Sequence, residues 1–342
     1  MLFKRIIISL YLLPLFLSIN YCQQAPGSND LYIASWNVEN FFDLLDDPNK
    51  NDDEFLPDGS KQWDEMKFER KVLNLSKVFK YMNEGKAPDV ISLEEVENNV
   101  VCKYIAYEFQ DRDYIICHRQ SPDERGIDNA LMYDRNVLDI VSIEQIEVKI
   151  PSGKPTRDIL HVALKRKNSD DTLHFYVNHW PSRRGGQKES EPNRIAAAKV
   201  LRESVSNLRK ESPSAEIIIM GDFNDEPADT SIQYVFGGGD GSMSNNNFIN
   251  LAFKPYEEGF GTYYYRQDWN MLDQMLISRT FFDNKGYDYE EGSFEIIKPD
   301  FMITKEGKYK GSPIPTFGGK TYLGGYSDHY PIGMKIKYIP KN

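Results

Sequence analysis

Five apolar runs in this chain each meet a polar group, and that recurrence constrains the fold more than any single motif. Leu31-Tyr32-Ile33-Ala34-Ser35 leads into Trp36-Asn37, and Val90-Ile91-Ser92-Leu93 into Glu94-Glu95. Leu173-His174-Phe175-Tyr176-Val177 runs into Asn178-His179, and Ile217-Ile218-Ile219-Met220 into Gly221-Asp222-Phe223-Asn224. At Leu272-Asp273-Gln274 the polar group stands at the beginning of the run. In α/β sheets, ligands bind at strand ends, where a rigid scaffold gathers groups distant in sequence.

Between these runs, residues 65–83 place Met66, Val72, Leu75, Val78, Phe79 and Met82 near helical spacing. Helices are expected again over 98–110 and 191–210. Short strands are expected at 113–118 and 128–133, with a hairpin of 137–149 and 158–166 across Pro151-Ser152-Gly153. Later strands fall at 273–278, 288–297 and 332–338, and Gly237–Asn247 reads as a flexible loop. Helices alternate with strands early and hairpins fill the middle, so the expected class is α/β with mixed sheets.

The N-terminus stands apart. Lys4-Arg5 precedes an apolar run from Ile6 to Ile19, too short to cross a bilayer comfortably. Residues 1–22 are therefore expected to be an export signal, 23–30 a polar lead-in and 31–342 a single catalytic domain. The chain is expected to be secreted or periplasmic. Lipid anchoring through Cys22 stays open, because Tyr21 stands where lipoprotein signals carry a small residue. Cys102 and Cys117 leave two readings open, one disulfide or a buried reduced pair. No Cys/His spacing suggests zinc. A net charge of −11 excludes a basic surface over the whole protein, so a nucleic-acid substrate would need a local basic patch or metal ions.

If Glu95, Asp222 and Asp328 converge, two of them about 4 Å apart repel by roughly 4 kcal/mol at an effective dielectric near 20. Oxygen ligands without cysteine favour a hard divalent cation, Mg²⁺ first, with Mn²⁺ or Ca²⁺ as alternatives. With two histidines beside it, the economical chemistry is metal-assisted hydrolysis of a phosphate ester. The chain lacks a P-loop and a Gly-x-Ser-x-Gly elbow.

The motifs WNVENFF, ISLEEVEN, RGIDNALMY, VNHWPSRRGG, GDFND, LDQMLIS and SDHYP follow one another in an order that resembles the endonuclease/exonuclease/phosphatase superfamily, in its deoxyribonuclease-I-like, secreted bacterial branch. The likeness spans about residues 30–338. It implies a four-layer sandwich, two packed mixed β-sheets flanked by helices. It implies that Asn37, Glu95 and Asp328 lie on the metal side. Asp222 and Asn224 would orient or deprotonate the attacking water, and His329, oriented by Asp273, would contact the phosphate. His179 matches a second histidine found in deoxyribonuclease-I-like and sphingomyelinase-like members. Glu94 departs from the family, where many members have Gln.

The function this implies is a secreted metal-dependent phosphodiesterase acting on DNA or RNA. The alternative is a phosphatase or sphingomyelinase-like phospholipase C, with Tyr263-Tyr264-Tyr265 as a candidate membrane contact. No obligate protein partner is indicated. Arg125, Arg183 and Arg184 are candidate phosphate contacts, and Trp180 and Trp269 read as packing residues. Lys298, Lys305, Lys308, Lys310 and Lys320 form a candidate basic patch.

Overall fold

The structure is a computed structural model that describes residues 30–167, 169–236 and 248–340. Residues 1–22, the expected export signal with Cys22, and residues 237–247, the expected loop, lie outside the described residues. In chain order the elements are β1 (Asp30–Phe41), α1 (Glu65–Gly85), β2 (Val90–Val96), α2 (Asn99–Tyr107), β3 (Tyr114–His118), β4 (Asp128–Asp134), β5 (Leu138–Ile146), β6 (Ile159–Arg166), β7 (Thr172–His179), α3 (Gln187–Glu211) and β8 (Glu216–Asp222). There follow α4 (Thr230–Phe236), β9 (Phe248–Asn250), α5 (Phe253–Glu257), β10 (Tyr263–Tyr265), β11 (Asp268–Asn270), β12 (Asp273–Ser278), β13 (Gly286–Tyr289), β14 (Glu295–Ile296), β15 (Phe317–Gly318), β16 (Thr321–Tyr322) and β17 (Ile332–Ile339).

Two mixed sheets result. The first has the order β13-β17-β1-β2-β4-β3, with β14 also on β17, and the second β5-β6-β7-β8-β12-β9. Each contains one parallel pair, β1/β2 in the first and β7/β8 in the second. A parallel pair needs a long crossover, and α1 and α3 supply the two.

Strand periodicity explains the layering. Along β1, Leu31 and Ile33 face the second sheet and join Val162, Phe175, Val177, Ile218 and Met275 in an inter-sheet core. Tyr32, Ala34 and Trp36 face the other way, onto Leu75, Val78, Phe79, Val101 and Ile105 of α1 and α2. On the far side Ile217 and Ile219 pack against Ala198, Leu201 and Val205 of α3. The layers are therefore helix, sheet, sheet, helix, as the resemblance implied. Phe79 meets Trp36 edge-on at 5.5 Å with both side chains fully buried; Phe79→Ala would cost ~3–5 kcal/mol.

Local chemistry sets the helix ends. Asp64 caps α1 by accepting from the Lys67 amide at 2.9 Å, and Asn98 caps α2 through the Val100 and Val101 amides. Some sequence expectations change. The strand expected over 288–297 is two short strands, β13 and β14, divided by a turn at Gly292 (φ +81°). Helix α3 begins upstream of residue 191, at Gln187. Cys102 and Cys117 are both free and buried, Cys102 in the α1/α2 core and Cys117 in the inter-sheet core. The first sheet lies between them, and burial pushes both thiols up to about 12.

Candidate active site

The parallel pairs place the site. Register sets Asn37 beside Glu94 at the end of β1/β2, and His179 beside Asp222 at the end of β7/β8. The antiparallel β8/β12 pair sets Asp273 opposite Asp222. Gly221 makes the second junction possible. Its φ is +129°, and a Cβ there would stand 2.0 Å from the Asn178 carbonyl oxygen.

Several residues at these strand ends depart from regular backbone. Glu39, Asn40, Glu95 and Asn224 all have positive φ, between 47° and 66°. Such a conformation costs a non-glycine residue roughly 1–3 kcal/mol and persists only where surrounding bonds hold it. The holding bonds are present. The Glu39 amide donates to Asn37 Oδ1 at 3.0 Å, the Asn40 amide to Glu95 Oε2 at 2.9 Å, and the Asn224 amide to Asp222 Oδ1 at 2.8 Å. Pairing shifts between Asn37 and Phe41 and between Glu94 and Val96 mark the same kinks in the ladder.

Asp222 is the hub. Asn37 Nδ2 donates to its Oδ2 at 3.0 Å. His179 Nε2 stands 3.5 Å from that oxygen and 3.8 Å from Glu95 Oε1, and His329 Nε2 stands 4.0 Å from it on another side. Asp273 Oδ2 holds His329 Nδ1 at 2.7 Å. Ser327 fixes the loop bearing Asp328 and His329: its hydroxyl donates to the Asn37 carbonyl at 2.6 Å and accepts from the His329 amide at 3.0 Å.

The two imidazoles are driven to opposite charge states. Burial opposes a charge on His329, but the Asp273, Asp222 and Asp328 carboxylates outweigh it and hold its pKa well above the ordinary histidine value. Burial holds His179 well below that value, and the like charges of Arg157, Arg125 and His329 add to the effect. Burial pushes Asp222 up to about 6, with His329 pulling it down and Asp273 pushing it up.

A second cluster surrounds Asp328. Burial raises its carboxyl, His329 and Lys71 lower it, and Glu95 raises it. Lys71 of α1 is 1% exposed and donates to Thr316 Oγ1 at 2.5 Å and to the Tyr326 carbonyl at 2.7 Å. Asn74, one turn on, donates to the Gly324 and Gly325 carbonyls at 3.0 and 2.7 Å. The Glu39 carboxylate accepts from the Thr316 and Phe317 amides at 2.6 and 3.1 Å. Together α1 and the end of β1 clamp segment 316–326, which delivers Asp328 and His329.

Glu95 and Asp222 meet at His179 Nε2, 3.8 and 3.5 Å away, and Asp222 and Asp328 both act on His329. Among the described residues no group of three or more carboxylate, imidazole or thiol side chains is arranged to hold a metal ion. Asp222 sits with the two histidines, and Asp328 shares its field with Glu95, Glu39 and Lys71. The donors still suit a hard ion. Mg²⁺ usually keeps several waters and takes one or two carboxylates plus substrate phosphate oxygens. Glu95 and Asp328 are carboxylates that act on each other, and the Asn37 amide oxygen has a lone pair left beside the bond it accepts from the Glu39 amide.

Arg183 is committed elsewhere. Its nitrogens donate to the Asn224 carbonyl at 2.8 Å, Asn270 Oδ1 at 2.9 Å and Asp229 Oδ2 at 2.7 Å. It braces the Asn224 turn rather than offering a free fork to phosphate. Arg125 pairs with Asp123 at 3.7 Å, is 44% exposed, and is felt by His179. Arg184 is exposed. Trp180 is buried and Trp269 packs on Tyr330, as expected. Of the lysine patch, Lys298 lies over Phe260, Trp269 and Tyr330, and Lys305 pairs with Asp300 at 3.3 Å. Lys308, Lys310 and Lys320 are exposed.

The sequence reading missed Glu39, Lys71 and Arg157. Lys71 stands three residues after Phe68 and four before Leu75, a cation on the apolar stripe of α1, and that was its signal. Arg157 is buried and donates to the Trp180 carbonyl at 2.6 Å and to Asp123 at 3.1 Å.

Glu94 yields a prediction. It is fully buried, accepts from the Ser92 and Ser35 hydroxyls, and has one oxygen without a partner. Burial and Asp273 hold its pKa well above the ordinary value. The folded chain therefore keeps a proton that the unfolded chain releases above the ordinary glutamate pKa. Its contribution to stability is present below that value and is lost as pH rises. Glu94→Gln removes the liability, so its Tm advantage over the wild type should be near zero at about pH 4 and grow by pH 8. Thermal unfolding across that range tests this; a gap independent of pH would refute it.

The Endonuclease/Exonuclease/phosphatase family profile matches residues 32–338. The chain belongs to that family. Members are phosphoesterases that generally depend on a divalent metal, so this chain is a hydrolase of phosphate esters. Among solved structures it is similar to a humanised D. rerio TDP2, with 16% identity over 91% of this chain and 100% of that one, at a TM-score of 0.56. The human Nocturnin catalytic domain with bound sulfate matches at 16% identity over 91% and 95%, TM-score 0.54. A mannosyl-6-phosphatase of Bacteroides thetaiotaomicron matches at 15% identity over 90% and 100%, TM-score 0.55. No curated protein matches the chain.

Proposed function

We propose that this phosphoesterase is an exported nuclease that hydrolyses phosphodiesters of DNA or RNA by attack of water on phosphorus. The observation that carries the reading is the placement of two imidazoles around Asp222, His179 Nε2 at 3.5 Å and His329 Nε2 at 4.0 Å from its Oδ2, with Asp273 holding His329 Nδ1 at 2.7 Å. Ionised Asp222 takes the proton of the attacking water, which Asn224 helps to orient. His329, charged and fixed through Nδ1 by Asp273, presents Nε2 as a donor to phosphate or the leaving oxygen. Neutral His179 donates a hydrogen bond from the Glu95 side. A divalent cation, Mg²⁺ first, held by Glu95, Asp328 and the Asn37 amide would polarise the phosphoryl oxygens.

A nucleic-acid substrate is supported by the similarity to D. rerio TDP2, a protein also solved with a single-strand DNA product. The exposed Lys308, Lys310 and Lys320 offer charge to a polyanion. A phosphatase acting on a phosphosugar is the second reading, favoured by the equally similar mannosyl-6-phosphatase. Export rests on residues 1–22 and is tested by fractionating expressing cells.

A panel of single-stranded DNA, duplex DNA, RNA, sphingomyelin and mannose 6-phosphate decides the substrate. Cleavage of nucleic acid is expected; turnover of the sugar phosphate alone would replace the reading. The pH profile of kcat/KM should show an acid limb near the value of about 6 to which Asp222 is pushed, because protonated Asp222 accepts no proton. Asp222 and His329 titrate as a pair, so the limb belongs to both. Asp273→Asn should draw the alkaline limb downward, since His329 loses the carboxylate that most favours its charge. An alkaline limb unmoved in that variant would remove His329 from the acid role.

A further inference from the structure

The two sheets leave a cavity at the pole opposite the candidate active site. β1 begins there at Asp30 and reaches Asn37 seven residues later, roughly 23 Å away at about 3.3 Å per residue. β7 ends at His179 beside the catalytic groups, so its antiparallel neighbour β6 ends at the far pole, at Arg166. Both strand ends line a cavity of about 540 Å³, together with the last turn of α1 and the β4–β5 junction. It shares no residue with the candidate active site.

The lining is charged. Five cations and four carboxylates line the cavity, a local excess of positive charge in a chain whose net charge is −11. Two of the cations are committed. Arg112 pairs with Asp89 and Asp134 and donates to the Lys86 and Ala87 carbonyls at 2.8 Å, so it braces the rim. Lys335 pairs with Glu84 at 3.1 Å. Lys86, Arg166 and Lys167 remain, and among the described residues none of them makes an ion pair. Arg166 lies over the Tyr338 ring at 4.9 Å, and its buried Nη1 has no acceptor. Cations left without a carboxylate in a shaped cavity favour an anion.

We infer that this cavity is a second ligand site, which takes a small phosphorylated polyol. The phosphate meets Arg166 and Lys167 on one wall and Lys86 on the other, and the hydroxyls meet the Glu290 carboxylate and the Asn136 amide. Volume decides against a bare ion, because 540 Å³ falls among small-molecule sites, about 300–1,000 Å³, and a lone phosphate would leave most of it to water. Polarity decides against a lipid, because Leu31 and Val137 are the only aliphatic residues of the described lining. The inference stands apart from the nuclease reading, since the ligand is bound here and not cleaved.

Calorimetric titration of the full chain in excess chelator tests the cavity, with ribose 5-phosphate, inorganic phosphate and ribose as probes. The wild type should bind ribose 5-phosphate more tightly than inorganic phosphate and should not bind ribose. Lys86 and Lys167 are exposed, so the double variant Lys86→Gln/Lys167→Gln should fold as the wild type does. It should bind ribose 5-phosphate more weakly by roughly tenfold or more, with kcat/KM on the phosphate-ester substrate unchanged. His329→Ala, at the other pole, should keep the wild-type affinity. Absence of binding by the wild type, or an affinity unchanged in the lysine variant, would overturn the site. Binding lost in His329→Ala alone would place the phosphate at the candidate active site and overturn it equally. Equal affinities for inorganic phosphate and ribose 5-phosphate would overturn the polyol as the ligand.

Discussion

Glu95→Gln is expected to lower kcat/KM on the phosphate-ester substrate by about a thousandfold or more, while the fold survives. Charge stabilisation by a bound cation is worth several kcal/mol, and each 1.4 kcal/mol is a factor of ten. In the proposed site Glu95 and Asp328 are the carboxylates that would hold that cation, and Gln removes one of the two charges. The backbone bond survives, because the Asn40 amide that donates to Glu95 Oε2 finds an amide oxygen in its place. Circular dichroism and Tm without added metal should therefore match the wild type closely. Binding also has a readout of its own. A ligand that binds only the folded chain raises its stability by RT ln(1 + [L]/Kd). Titrating Mg²⁺ into the chelator-treated wild type should raise Tm, and the same titration should leave Glu95→Gln nearly flat. Full hydrolysis in excess chelator, or equal Tm responses of both proteins, would sink the assignment.

Lys71→Met costs ~3–5 kcal/mol of stability, because a buried ion cluster broken on one side leaves its partners uncompensated. The ammonium is 1% exposed and donates to Thr316 and to the Tyr326 carbonyl. Burial depresses its pKa to about 8, against the pull of Glu39, Asp328 and Glu95, so it is charged at neutral pH. Removing it frees the segment that carries Asp328 and His329, and kcat should fall by tenfold or more with the lost geometry. Urea unfolding gives the stability change. The double variant with Glu39→Gln separates charge compensation from packing. Burial and Asp328 push Glu39 up to about 7, and neutralising it should recover part of the loss. A double variant whose loss equals the sum of the single losses would mean that Lys71 acts by packing alone.

Several structural features were legible because they are local. An apolar run closed by Asn37, Glu95, His179 or Asp222 reads as a strand delivering a polar group, whatever the strand later pairs with. The helices α1 and α2 follow from apolar spacing and from capping residues such as Asp64 and Asn98. The fold class followed from the order of such segments. The 288–297 region failed by the same logic: Gly292 breaks it, and both halves exist only because β17 offers an edge to pair with.

Tertiary structure decided the chemistry of each residue. Which carboxylate stands by which imidazole depends on register between strands distant in sequence, as between Asp222, His179 and Asp273. Charge state depends on burial and on neighbours, so two histidines of identical intrinsic chemistry end with opposite preferences. Arg183 was a candidate phosphate contact and is consumed by three acceptors, whereas Lys71 drew no reading and is buried beside the site. The sequence by itself determined which chemical groups reach the strand ends, because strand formation is a property of short segments. Which of them act together, and in which protonation state, was decided by packing, because distance and dielectric exist only once the sheets have closed on each other.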